Sequence, residues 1–315
     1  MKNFLSLTHL EGDSWTQLLR ASREVKQHPG HFRKMLSGKS LALVFEKPSL
    51  RTRLTFELGM KQLGGDAVYL DYQESRLGGR ESLGDVAKNL ERWFDCIVAR
   101  TFSHKVVVEL AEQSSVPVIN GLSDEEHPCQ ALADIFTLTE KWEELKGKTL
   151  AFVGDGNNVC FSLIHAALLS GMSFIAITPE SHQPEEVKGF EQCEEASYRW
   201  SGSVKDLKGA DVVYTDTWVS MGQEEEGRDR LQTFHCYKVT PEVMALTGKQ
   251  SFFMHCLPAH RNQEVTDSVI DSPQSLVFEQ AENRLHVQKA LLLFLLAGKE
   301  LGRYFQLERF AAWGS

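Results

Sequence analysis

Residues 41–53 read LALVFEKPSLRTR, and the change of character inside this stretch decides the fold. Residues 41–45 form an unbroken apolar run of strand length, the mark of a strand buried on both faces. From Arg51 to residue 63 the pattern becomes helical, with Leu54, Leu58 and Met60 among the apolar positions. A buried strand feeding a helix is the first half of a βαβ unit. The first N–H groups of that helix lack intrahelical partners and its dipole is positive there, so Ser49, Leu50, Arg51 and Thr52 stand where an anion binds. Phosphate is the natural guest; a helix cap with solvated arginines is the other reading. The G-x-x-x-x-G-K spacing is missing, so this is not a Walker loop.

Working outward, strands are predicted at 67–70, 96–99 and 116–119, with helices at 81–94, 105–112 and about 126–142, the last with Pro128 in its first turn. Residues 143–148 (EELKGK) are charged and carry a glycine, which suits a linker. The alternation restarts with strand 149–153, a helix at 158–170, and strands at 174–177, 211–214 and 251–254. Strands alternating with helices predict an α/β fold of two doubly wound parallel-sheet domains, residues 1–145 and 146–284. The helix expected at about 285–297 is apolar on most of its surface and is therefore buried, so residues 285–315 are expected to pack back on the first domain.

The chain has 315 residues, with 34 Lys plus Arg against 43 Asp plus Glu, a formal charge of −9. So acidic a balance disfavours nucleic acid and anionic membrane as partners. The first residues lack the apolar core and cleavage site of a secretory signal, and the longest apolar run, 290–297, is far below the ~20 residues that span a bilayer. Six scattered cysteines without a C-x-x-C pair read as thiols of a reducing cytoplasm. No metal is expected, because the histidines and cysteines lack ligand spacing.

Three further segments put polar residues where strands are expected to end: RTFSH at 100–104, HPCQ at 127–130 and HCLPAH at 255–260. Taken with FEKPSLRTR (45–53), NGLSDEEHPCQALAD (120–134), VGDGNN (153–158), DTWVSMG (216–222), MHCLPAHR (254–261) and EQAENR (279–284), the chain closely resembles the aspartate/ornithine carbamoyltransferase family. The S-x-R-T-R and H-P-x-Q elements are common to the family, whereas S-M-G after D-x-W and H-C-L-P point to its ornithine branch.

The resemblance implies an active site in the cleft between the two domains and transfer of the carbamoyl group of carbamoyl phosphate to the δ-amine of ornithine. Citrulline and phosphate would be the products, in arginine biosynthesis or arginine catabolism, without a cofactor, in a homotrimer with shared active sites. Carbamoyl phosphate would be held by Ser49, Leu50, Arg51, Thr52, Arg76, Arg100, His127, Gln130, Cys256, Leu257 and Arg284. Ornithine would be held by Asn158, Asp216, Ser220 and Met221, and catalysis would fall to Arg100, His127, Cys256 and Asp216. The resemblance also implies a cis Leu257–Pro258 bond. Cys256 is expected to contact and orient the amine rather than form an acyl enzyme, the alternative being a small buried apolar residue.

Two positions depart from the family pattern. Leu50 replaces a common threonine, which removes a hydroxyl but keeps the backbone N–H. Arg76 replaces a common glutamine, and either tightens phosphate binding at a neighbouring subunit or points elsewhere. Rival readings are a carbamoyltransferase for another amine, a catalytically silent paralogue, and an NAD-binding oxidoreductase suggested by Gly154-Asp155-Gly156. That fingerprint is partial, since its third glycine is replaced by Val159.

Overall fold

The computed structural model describes residues 1–10, 13–72, 77–184, 196–219 and 227–305. Arg76, Ser220 and Met221 lie outside the described residues. The chain divides into two compact units: residues 1–132 with the chain from Asn283 onward, and residues 133–282.

The first unit holds a parallel sheet of β1 (Ser40–Phe45), β2 (Asp66–Asp71), β3 (Cys96–Arg100) and β4 (Val118–Leu122), in the order β2-β1-β3-β4. Its helices are α1 (Ser14–Gln27), α2 (Leu50–Leu63), α3 (Leu83–Trp93) and α4 (His104–Gln113). The start of α5 (Pro128–Thr139) also belongs to this unit, as do most of α10 (Val277–Leu296) and α11 (Gly298–Tyr304). β1 and β3 are the central strands and bury nearly every residue, as the apolar run 41–45 requires. Val44, Ile97 and Ala99 pack with Val86 and Leu90 of α3 and Val107 and Leu110 of α4 in one apolar cluster.

The second unit repeats the plan with β5 (Thr149–Val153), β6 (Ser173–Ile177), β7 (Tyr198–Ser201), β8 (Val212–Thr215) and β9 (Phe252–His255), all parallel, in the order β7-β6-β5-β8-β9. α6 (Asn158–Leu169) follows β5, and α7 (Gly227–Phe234), α8 (Pro241–Ala245) and α9 (Asp267–Ile270) lie further along.

Several elements differ from the sequence reading. β4 begins at Val118 rather than 116, because Pro117 has no N–H to give, and runs on to Leu122 past an irregularity in its pairing with Ala99 and Arg100. β7, with sequence YRWS, is a half-buried edge strand that its polar residues conceal. α1 is absent from the sequence reading. α10 starts at Val277 rather than 285, since its first turns carry Glu279, Gln280, Glu282 and Asn283 before the apolar run begins.

Each sheet has one point where the strand order reverses. Between β1 and β3 the chain winds away in both directions, and the same holds between β5 and β8. Loops leaving neighbouring strands there diverge to opposite faces, which opens room for a ligand at the strand carboxyl ends.

Candidate active site

At the first reversal Phe45 of β1 faces Arg100 of β3, so the loop entering α2 and the Arg100 side chain start from neighbouring backbone. The Glu46 N–H donates to the Arg100 carbonyl at 2.8 Å. Glu46, itself buried, ties three strand-end loops together: one carboxylate oxygen accepts the Leu77 N–H and the other the Phe102 N–H, each at 2.9 Å. Sequence reasoning missed this residue because a glutamate after a strand reads as solvated.

Ser49 caps α2, its hydroxyl accepting the Thr52 N–H at 3.2 Å. Leu50 is 70% exposed, so its side chain is spent on solvent and only its backbone serves the helix start. Arg51 is half-buried and Thr52 is buried. Arg284, from α10, reaches the same turn: its Nη1 donates to Gln130 Oε1 at 2.5 Å and its Nη2 to Thr52 Oγ1 at 3.0 Å. Arg100, His127, Gln130 and Arg284 are all buried. Burial, reinforced by Arg284, Arg100 and Arg51, holds the His127 imidazole well below the usual histidine range, so it is neutral at pH 7. The sequence-predicted phosphate residues of this unit thus converge: a capped helix start, converging guanidinium groups and an uncharged imidazole.

At the second reversal Thr215 of β8 is paired with Val153 of β5 on one side and His255 of β9 on the other. Asp216 and Cys256 follow those strand ends, and the Cys256 thiol donates to Asp216 Oδ1 at 2.8 Å. The same oxygen accepts the Thr217 N–H at 2.7 Å, and Asp216 Oδ2 accepts from Asn157 Nδ2 at 2.8 Å. Asn157 also caps α6, its side-chain Oδ1 accepting the Val159 and Cys160 N–H groups. The asparagine bonded to Asp216 is Asn157, which the sequence did not single out; Asn158, expected to serve the ornithine α-carboxylate, is the half-buried first residue of α6.

Leu257 has φ +56° and precedes a cis bond to Pro258. Its N–H donates to His255 Nδ1 at 2.9 Å, while His255 Nε2 lies 3.2 Å from Glu264 Oε1, both side chains being fully buried. Ligand-type atoms of Asp216, His255 and Cys256 fall within 4.8 Å of one another. Both His255 nitrogens are already engaged, so this group as arranged offers an ion a thiol and a carboxylate. The same engagement denies Cys256 the imidazole partner of a thiolate nucleophile.

Asp155, in the glycine loop after β5, makes a short ion pair with Arg230 of α7, whose Nε donates to the Trp218 carbonyl at 2.6 Å. Burial lifts the Asp155 carboxyl to about 6 against the pull of Arg230. A side chain at Gly156 would meet the His182 carbonyl oxygen at 2.4 Å, and the Gly156 N–H donates to that oxygen. The loop backbone is covered by residues 182–184 rather than open to a pyrophosphate, which disfavours the dinucleotide reading.

Residues 2–140 match the model of the aspartate/ornithine carbamoyltransferase carbamoyl-P binding domain, and residues 146–295 that of the family's Asp/Orn binding domain. The chain is 47% identical over 296 residues to an ornithine carbamoyltransferase of Pyrococcus horikoshii, covering 91% of this chain and 93% of the relative. It is 47% identical over 305 residues to one of Archaeoglobus fulgidus, covering 95% and 99%. The solved structure of ornithine carbamoyltransferase from Pyrococcus furiosus superposes with a TM-score of 0.88 at 43% identity, covering 94% of this chain and 97% of that one. With both halves and the order of every strand-end motif accounted for, this chain belongs to the aspartate/ornithine carbamoyltransferase family.

Proposed function

We infer that this chain transfers the carbamoyl group of carbamoyl phosphate to the δ-amine of L-ornithine, releasing phosphate and leaving L-citrulline. The observation that carries this reading is the cluster at the start of α2, where the Ser49 cap, half-buried Arg51 and buried Arg100, Arg284 and neutral His127 converge. A protein of net charge −9 holds a phosphate dianion only through such concentrated donors.

Roles divide between the two units. In the first, the backbone N–H groups at the start of α2 and the side chains of Arg51 and Arg100 take the phosphate. Arg100, His127 and Thr52 donate toward the carbamoyl oxygen, where negative charge grows as the amine attacks; donors fixed there beforehand lower the barrier. A neutral imidazole suits this task, because it donates without placing a further cation beside three arginines.

In the second unit, Asp216 pairs with the ornithine α-ammonium. An alkyl ammonium near pKa ~10.4 costs roughly 4–5 kcal/mol to deprotonate at pH 7. The Cys256 proton is directed at Asp216, so its sulfur lone pairs face outward and can accept from the amine and orient it, while the leaving phosphate takes a proton. Leu257 offers its carbonyl to the carbamoyl NH2. Asn158 serves the α-carboxylate, and Ser220 and Met221 belong to the same acceptor region by resemblance. The family resemblance likewise supports a homotrimer in the cytoplasm serving arginine metabolism, with Arg76 reaching a neighbour's phosphate. The five described cysteines, all free thiols, agree with a reducing compartment.

The test is an acceptor panel under steady state: L-ornithine, N-acetylornithine, putrescine and aspartate. Strong preference for ornithine is the expected result. Equal turnover of N-acetylornithine, which has no α-ammonium for Asp216, would overturn the assignment.

A further inference from the structure

Arg284 is deeply buried, and what holds it is informative. Its guanidinium is hydrogen-bonded to Gln130 Oε1 and Thr52 Oγ1. A third neighbour is Gln288, one helical turn further along α10 on the same face and itself fully buried. Its amide oxygen and nitrogen are assigned from the donors and acceptors around them: with the nitrogen toward Thr55 Oγ1 at 2.5 Å it donates there, and the oxygen then accepts from Arg284 Nη2 at 3.0 Å and Nε at 3.3 Å, whereas the opposite assignment would set donor against donor and acceptor against acceptor. Thr55 Oγ1 passes its own proton to the Arg51 carbonyl at 2.6 Å. Gln288 therefore links the plane of the Arg284 guanidinium to the first turn of α2.

The acceptors supplied by Gln130, Thr52 and Gln288 are all uncharged. Each fixes the direction of the guanidinium without cancelling its charge, whereas a carboxylate at the same place would do both. We propose that Gln288 is a positioning residue for the carbamoyl-phosphate side of the reaction, aiming Arg284 with a neutral acceptor so that its charge stays available to the substrate dianion. This rests on the reading of Arg284 as a carbamoyl phosphate contact.

Gln288→Glu separates aim from charge, because the glutamate still accepts from Arg284 but neutralises it. With Arg284→Met as the reference, both variants should raise KM for carbamoyl phosphate about tenfold or more, while KM for ornithine at saturating carbamoyl phosphate moves less than about twofold. A side chain that merely fills the core would not split the two constants this way. If Gln288→Glu does not fold, Gln288→Met carries the test: it removes the acceptor without adding charge, and the same split in KM is expected. An impaired Arg284→Met beside a Gln288→Glu (or, in its place, Gln288→Met) with unchanged KM overturns the role of Gln288 and leaves the proposed function standing. An Arg284→Met enzyme with unchanged KM overturns both.

Discussion

Asp216 and Cys256 leave adjacent parallel strands side by side, because Thr215 is in register with His255, and the thiol of one donates to the carboxylate of the other at 2.8 Å. Asp216 is thereby fixed by three donors from three loops, Asn157, Thr217 and Cys256. Asp216→Asn keeps the shape but removes the charge. KM for ornithine should rise about ten- to hundredfold, the equivalent of one charge-assisted hydrogen bond, with KM for carbamoyl phosphate nearly unchanged. Steady-state kinetics in both substrates checks this, and equal changes in the two constants would speak against it.

Arg51 and Arg100 are assigned to the opposite substrate. Arg51→Ala and Arg100→Ala should each lower kcat/KM for carbamoyl phosphate by about tenfold or more. Arg100 should also lower kcat, since it faces charge that develops only in the transition state. Full activity of the Arg100→Ala enzyme at saturating carbamoyl phosphate would remove it from catalysis.

Much of this was readable in the sequence, for identifiable reasons. The run 41–45 is apolar throughout because β1 is covered on both faces, and Ser49, Pro128 and Asn157 announce helix starts through their capping or ring chemistry. What stayed hidden depends on tertiary placement. β7 is an edge strand whose burial is too partial to leave a pattern. Glu46, Glu264, Arg230 and Gln288 are charged or polar residues that composition assigns to solvent, yet each is buried with specific partners. That Asn157 both caps α6 and holds Asp216 was hidden as well, because two adjacent asparagines give the same signal for a cap.

Acidification should destabilise the fold in a defined window. His127 and His165 are neutral in the folded protein, burial holding His165 at about 4 and His127 well below its usual value. The unfolded chain binds both protons as pH falls through about 6.5, so stability rises with pH there. Asp155, raised to about 6, works the other way, because the folded state keeps a proton that the unfolded carboxyl has released. Two groups against one leave stability falling as pH drops below about 6.5. His165→Leu should flatten the denaturant-midpoint profile by about one proton, or ~1.4 kcal/mol per pH unit. Parallel profiles for the two proteins would contradict this.

The Asp155–Arg230 pair is buried on both sides. Breaking it from one side leaves a charge without its counterion, so Arg230→Met should cost about 3–5 kcal/mol. The double variant Asp155→Asn with Arg230→Met should cost much less than the two single changes summed. Urea unfolding of the four proteins measures the coupling, and strict additivity would show the pair to be independent.

The reaction joins the carbamoyl carbon to the ornithine δ-nitrogen. Carbon-13 NMR of carbamoyl-labelled carbamoyl phosphate, incubated with L-ornithine and the protein, observes that bond directly. The label is expected in the ureido carbon of citrulline, with an equimolar release of phosphate that depends on ornithine. Label confined to hydrolysis products, or found on the α-nitrogen, would contradict it.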